Sequence, residues 1–182
     1  MRKDILDECG IDVSSITDYK DLTDVYATVK EKYPDMVMMA SNNSATPDTK
    51  YEMNDTLTDG FGVLMDHGQD TTVVDYYETD EYKEFVETMY DWQQKGYLSK
   101  DAATTTESAE NQVKAGAAFS YLAPNKPGYD TRAALLCGTE MEIAPISEPW
   151  AGTAQISYLT YGISSSSADK DKTMQCLSLI HI

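Results

Sequence analysis

The chain is 182 residues long, 41% hydrophobic, and carries 14 Lys and Arg against 31 Asp and Glu, a formal charge of −17. Phosphate backbones and anionic headgroups are bound by Lys and Arg displacing counterions, so this balance argues against nucleic-acid and peripheral-membrane roles. With 13 Tyr and 9 Met there is material for a core of one large domain or two small ones. No run of 18 apolar residues is present, so no segment reads as a spanning helix. Residues 1–8 have basic side chains but no apolar segment behind them and read as no secretory signal, which leaves either a cytoplasmic protein or a chain whose true beginning lies upstream.

In chain order, Leu22, Val25, Tyr26, Val29 and Tyr33 recur at helical spacing, which predicts an amphipathic helix over 18–33 with Thr17 or Asp18 as its cap. Pro34 ends it, and the apolar run 36–40 has the length of a buried strand. Residues 41–60, rich in Asn, Ser, Thr, Asp and Pro, form a long connection of the kind that is often functional. A strand over 71–77 and a helix over 79–95 follow. In that helix Tyr82, Phe85, Val86, Met89, Tyr90 and Trp92 make the apolar side, and Gly96 is the stop. A helix over 106–114, capped by Thr, leads to a buried strand over 117–122 and turn chemistry at 124–128. Strands are predicted over 141–146 and 156–163, and a last helix after a capping box made by Ser166 and Asp169. The alternation of helix and strand predicts an α/β fold.

Catalytic and metal signatures are weak throughout. Cys9, Cys137 and Cys176 make neither a C-x-x-C pair nor an even framework, and they read as buried or free thiols. His67 and His181 have no H-E-x-x-H context. Asp55, Asp59, Gly60 and Asp66 imitate a calcium loop, but Leu57 fills a required ligand position and the segment reads as a solvated acidic loop. Gly60-Phe61-Gly62 lacks the rest of a phosphate loop, and there is no G-x-S-x-G. Two carboxylates could hydrolyse a glycoside, but 31 acids select no pair. The informative group is the aromatics near strand ends, where open α/β folds place their ligand crevice. Flat rings there stack on sugars, and amides bind hydroxyls. Tyr121, Asn125, Trp150 and Tyr161 are therefore the candidate ligand contacts, whereas Trp92, at helical spacing, belongs to the core.

The stretches MRKDILDECGIDVSSITDYKDLTDVYATVKEKYPD, VVDYYETDEYKEFVETMYDWQQKGYLSKDAAT, NQVKAGAAFSYLAPNKPG and YGISSSSADKDKTMQ, with the element Trp92, Lys95, Gly96, Tyr97, Asp101 and Ala102, carry a family likeness. They resemble the extracellular solute-binding proteins (family 1-like, lipoprotein branch) of bacterial ABC importers. The resemblance implies an α/β, periplasmic-binding-protein-like (type II) fold, mostly the second lobe of a two-lobe clamshell. Residues 1–163 would form that lobe, 164–175 would begin a further helix, and 176–182 would be a non-native tail. It also implies a fragment truncated at both ends.

The function so implied is non-catalytic: extracellular capture of a solute, an oligosaccharide, for delivery to the transmembrane subunits of an ABC permease. The full-length form would be a cell-surface lipoprotein, with no cofactor, no metal and no nucleic-acid partner. Two other classes stay open, a carbohydrate-active hydrolase using a carboxylate pair and a stand-alone acidic interaction domain.

Overall fold

The computed structural model describes residues 1–41, 54–57, 61–147 and 162–180. Its centre is a parallel pair, β1 (Val37–Met39) and β5 (Ala118–Ser120), with Val37 opposite Ala118 and Met39 opposite Ser120. Leu98 bridges Met39 in parallel on the outer side of β1, where the Tyr97 carbonyl accepts from the Met38 and Met39 amides at 2.8 and 3.1 Å. Beyond β5, the Arg2 amide donates to the Phe119 carbonyl at 3.1 Å and Arg2 bridges Met141 in antiparallel sense. The lateral order is therefore 98, β1, β5, 2, 141.

Helices cover both faces, and in β5 the neighbours Ala118 and Phe119 serve opposite sides. On one face lie α1 (Lys3–Cys9), α2 (Leu22–Lys32) and α4 (Asp80–Gln94), which bury Ile5, Leu6, Leu22, Val25, Tyr26, Val29, Phe85 and Trp92 against Met38, Met39, Leu98 and Phe119. On the other, α5 (Ala109–Lys114) and α6 (Tyr129–Cys137) close over Ala40 and Ala118 through Ala109, Val113, Ala133 and Cys137. A separate antiparallel sheet of β2 (Asp55–Thr56), β3 (Gly62–Leu64) and β4 (Val73–Asp75), with the short α3 (Met65–Gly68) between its last two strands, lies between β1 and α4 in the chain. The last helix, α7 (Lys170–Ile180), continues through Cys176 without a break.

The local chemistry explains the boundaries. Asp18 accepts from the Lys20 amide at 2.8 Å, and Asp21 reaches back to the Thr17 and Asp18 amides at 2.9 and 3.0 Å, a reciprocal cap that opens a 3-10 turn leading into α2. Tyr33 leaves helical geometry ahead of Pro34, whose ring disfavours helix in the preceding residue. Thr79 caps α4 through the Tyr82 amide at 3.2 Å, and Gly96, at φ 70°, turns the chain into Tyr97 and Leu98.

Several expectations need correction. The cap of α5 is Ser108, which accepts from the Asn111 amide at 3.3 Å, and the helix begins three residues later than the spacing suggests. The cap of α7 is Asp169 alone, through the Lys172 amide at 2.9 Å, because the Ser166 hydroxyl is engaged with Ser164. Over 141–146 there is a single bridge at Met141 and no strand, since Pro145 and a half-buried run give the ladder nothing to extend. The predicted strand over 71–77 is cut to β4 by a 3-10 turn at Tyr76–Glu78, which the Asp75 carboxylate caps through the Tyr77 amide at 3.0 Å. The predicted strand over 156–163 lies outside the described residues up to 161, and 162 and 163 are irregular. Among the described residues no helix is long and apolar enough to cross a membrane.

Candidate functional site

In a parallel sheet the crevice opens beyond the carboxyl ends of the strands, where helix amino ends and connecting loops meet. Here those ends are Ser41, just past β1, and Tyr121, just past β5. Ser41 is buried, and its carbonyl accepts from the Gln112 amide Nε2 at 2.8 Å. The same nitrogen donates to the Glu107 carbonyl at 3.2 Å, so one buried side chain of α5 ties the end of β1 to the loop ahead of that helix. The Ser41 hydroxyl and the Tyr121 hydroxyl are the two buried side-chain polar atoms without a hydrogen-bond partner among the described residues. The Tyr129 hydroxyl and the Cys137 thiol are the polar groups beside the Tyr121 hydroxyl, but they lie outside full hydrogen-bond geometry, and burial, followed by the Tyr129 hydroxyl, drives the Tyr121 pKa above the usual phenol range. Burial pushes the Cys137 thiol up as well. Both groups are thus neutral. A buried, unsatisfied hydroxyl costs about 1–3 kcal/mol, and two at adjacent strand ends mark a place where a polar ligand would repay that cost.

Asn125 is exposed in the turn that follows Tyr121. It lines an open groove of about 620 Å³ with Asp130 and Thr131 of α6 and with Glu140, Glu142, Ile143 and Pro145. The volume suits a small-molecule ligand, and the carboxylates favour a neutral hydroxylated ligand over an anion. Tyr121 and Asn125 therefore share one connection but not one surface, because Tyr121 turns toward α6 and is not part of the groove lining. Trp150 and Tyr161 lie outside the described residues. Trp92 is 1% exposed, and its indole nitrogen donates to the Thr23 hydroxyl at 2.9 Å, which places it in the core as expected. A smaller hollow of about 320 Å³, between 32–36 and 116–117, sits at the amino ends of β1 and β5, the wrong end of the sheet for an α/β ligand crevice.

Two residues of this site were not singled out from the sequence. Ser41 was legible as the first polar residue after the apolar run 36–40. Gln112 was legible as the one long polar side chain at helical spacing from Ala109 and beside Val113 on the buried side of α5. Among the described residues no cluster of His, Cys, Asp and Glu could hold a metal ion.

No protein-family model matches the chain. A curated carbohydrate ABC transporter substrate-binding protein of Streptococcus pneumoniae serotype 4 (strain ATCC BAA-334 / TIGR4) is 27% identical over 178 residues, 97% of this chain and 36% of that protein. The chain thus spans about a third of the length of the curated relative it matches. Among solved structures, the N-glycan transport solute binding protein (NgtS) from Streptococcus pneumoniae superimposes with a TM-score of 0.75 at 27% identity, over 96% of this chain and 38% of that one. Its complex with Man1GlcNAc gives a TM-score of 0.73 at 27% identity, over 98% of this chain and 40% of that one. Its complex with Man5GlcNAc gives 0.70 at 28% identity, over 96% of this chain and 38% of that one.

Proposed function

Starting from a chain homologous, over nearly its whole length, to part of a carbohydrate substrate-binding protein of an ABC transporter, with a periplasmic-binding-protein-like α/β fold, we propose that it forms one wall of an oligosaccharide-binding crevice. The observation that carries this reading is the pair of buried, unpartnered hydroxyls of Ser41 and Tyr121 at the carboxyl ends of adjacent parallel strands. Sugar hydroxyls are both donors and acceptors and would satisfy both groups. Asn125 supplies an amide at the rim of the neighbouring groove, and Trp150 and Tyr161 are further contacts by their chemistry and position in the chain. Residues 1–163 are mostly the second lobe of a two-lobe clamshell, and the facing wall belongs to a first lobe that closes over the ligand and excludes water. Residues 164–175 begin the following helix.

In this reading the protein is not an enzyme. It captures an oligosaccharide outside the cell, held there by a lipid anchor in its full-length form, and delivers it to the transmembrane subunits of a permease. Among the described residues, one feature of the crevice supports that reading. The thiol beside Tyr121, Cys137, is buried and has its pKa raised rather than lowered, the opposite of what thiolate chemistry needs.

The test is calorimetric titration with Man1GlcNAc and Man5GlcNAc, with mass analysis of the glycan afterwards. Saturable binding with intact glycan is expected. Replacing Tyr121 by Phe removes one ligand hydrogen bond and weakens binding by roughly 2- to 10-fold. Cleaved glycan would overturn the binding reading in favour of a hydrolase, and absence of binding to both glycans would overturn the choice of ligand class.

A further inference from the structure

The small sheet carries an aromatic ledge that neither the core nor the crevice accounts for. Phe61, immediately before β3, is 59% exposed, and Tyr77, immediately after Tyr76 in the turn beyond β4, is 45% exposed. Their ring centres are 5.6 Å apart at 63°, and Tyr77 meets Tyr82 of α4 at 4.9 Å and 86°. Tyr76, 4% exposed, underpins the group, 5.2 Å from Tyr82 and 6.0 Å from Tyr77. The backbone holds the same pairing, since the Tyr76 amide donates to the Phe61 carbonyl at 2.9 Å and the Thr79 hydroxyl donates to the Tyr76 carbonyl at 2.6 Å. Two large rings are thus partly exposed on a hydrogen-bonded turn, where burial would ordinarily claim them.

Topology puts this ledge at the crevice end of the molecule. The strand position at Leu98 is parallel to β1, and α4 is the crossover between them, so α4 runs opposite to both and starts at their carboxyl ends. Tyr76, Tyr77 and Tyr82 stand at that starting end, as Ser41 and Tyr121 stand at the ends of β1 and β5. We propose that Phe61 and Tyr77, backed by Tyr82, form an outlying carbohydrate subsite that stacks against a distal sugar of an oligosaccharide whose other end occupies the crevice. This rests on the oligosaccharide reading of the crevice and adds to it a preference for long ligands over short ones. The carboxylate of Glu78, beside Tyr77, is within the same turn and provides an acceptor chemistry suited to sugar hydroxyls and unsuited to anions.

The chain contains three Phe, of which Phe85 and Phe119 are buried. Protein labelled with 4-fluorophenylalanine therefore gives three fluorine signals, one from an exposed ring, assigned by its loss in Phe61→Leu. Titration with Man1GlcNAc and with Man5GlcNAc, read by this signal and by calorimetry, tests the proposal. The expected result is a shift of the Phe61 signal with Man5GlcNAc and not with Man1GlcNAc. In Phe61→Ala/Tyr77→Ala, the Man5GlcNAc affinity should fall by roughly 5- to 30-fold with that of Man1GlcNAc unchanged. An unmoved Phe61 signal while both glycans bind, or an equal loss for both glycans in the double variant, overturns the ledge and leaves the crevice standing. A Phe61 shift with Man5GlcNAc that survives when Man1GlcNAc fails to bind supports the ledge and counts against the crevice, whereas absence of binding to either glycan overturns both.

Discussion

The two faces of the central sheet are packed by different means. Under α1, α2 and α4 the core is aromatic: Tyr26 lies 5.0 Å from Trp92, 5.8 Å from Tyr97 and 6.3 Å from Phe119, all edge to face. Its hydroxyl is paired with Ser120 Oγ at 2.9 Å, Ser120 donates to the Met38 carbonyl at 2.7 Å, and burial raises the phenol pKa. Under α5 and α6 the buried residues are mostly small, Ala40, Ala109, Ala118, Ala133 and Cys137, together with Val113 and Met141. Adjacent residues of one strand, Ala118 and Phe119, serve the two sides. Large rings supply most of the apolar area and hence stability, while small side chains let α5 and α6 come close and bring Gln112 to Ser41 and α6 to Tyr121. One face holds the fold together, and the other sets the geometry of the crevice.

That contrast can be broken most directly at Trp92. Trp92→Ala should cost about 3–5 kcal/mol in urea unfolding, the usual range for emptying an aromatic site in a core. A smaller loss, about 1–3 kcal/mol, is expected for Ala118→Leu, which overpacks the thin face. At a temperature where both variants are folded, Ala118→Leu should nevertheless weaken the proposed glycan binding more, because it pushes α5 and therefore Gln112 away from Ser41. The reverse ranking in either assay would show that the two faces are not specialised in this way.

The smallest effect lies at the cap of the 3-10 turn that leads into α2, a helix of the aromatic face. The Thr17 amide, followed by that of Asp18, holds the Asp21 carboxyl below its ordinary value of 3.8. Because the folded pKa is depressed, the native state binds its proton less readily than the unfolded chain does. The stabilisation is fully present above the ordinary value and is lost as pH falls through the folded one. Melting curves of the wild type and Asp21→Asn should therefore differ near neutral pH and converge in acid. A difference that persists unchanged into acid would assign the effect to something other than the carboxylate charge.

Legibility in the sequence followed local chemistry. The helices now seen as α2 and α4 were plain because their apolar residues repeat over three turns or more and their ends carry Asp18, Thr79, Pro34 and Gly96. Helix α6 shows no apolar stripe in the sequence because its large apolar residues face outward, Leu135 being 82% exposed, while the small Ala133 and Cys137 are buried. Helix α1 was missed because only Ile5 and Leu6 of its seven residues are buried, too few to show a period. Strand β3 is three residues beside Gly62 and shows no alternation of its own. Of the candidate contacts, Tyr121 stands at a strand end as its type and position suggested, and Asn125 lies on a different surface from it.

The amino-acid sequence by itself determined the acidic charge, the α/β alternation, the presence of the long helices with their stops at Pro34 and Gly96, and the core role of Trp92, since each depends on composition or on spacing within a few residues; the start of α2 at Leu22 rather than 18 did not follow from it. Tertiary structure decided the rest: that Leu98 and β5 flank β1, that Gln112 reaches Ser41 across 71 positions of chain, and that Phe61 meets Tyr77. These contacts depend on which strands pair and how closely helices approach, and neither quantity is encoded in local periodicity.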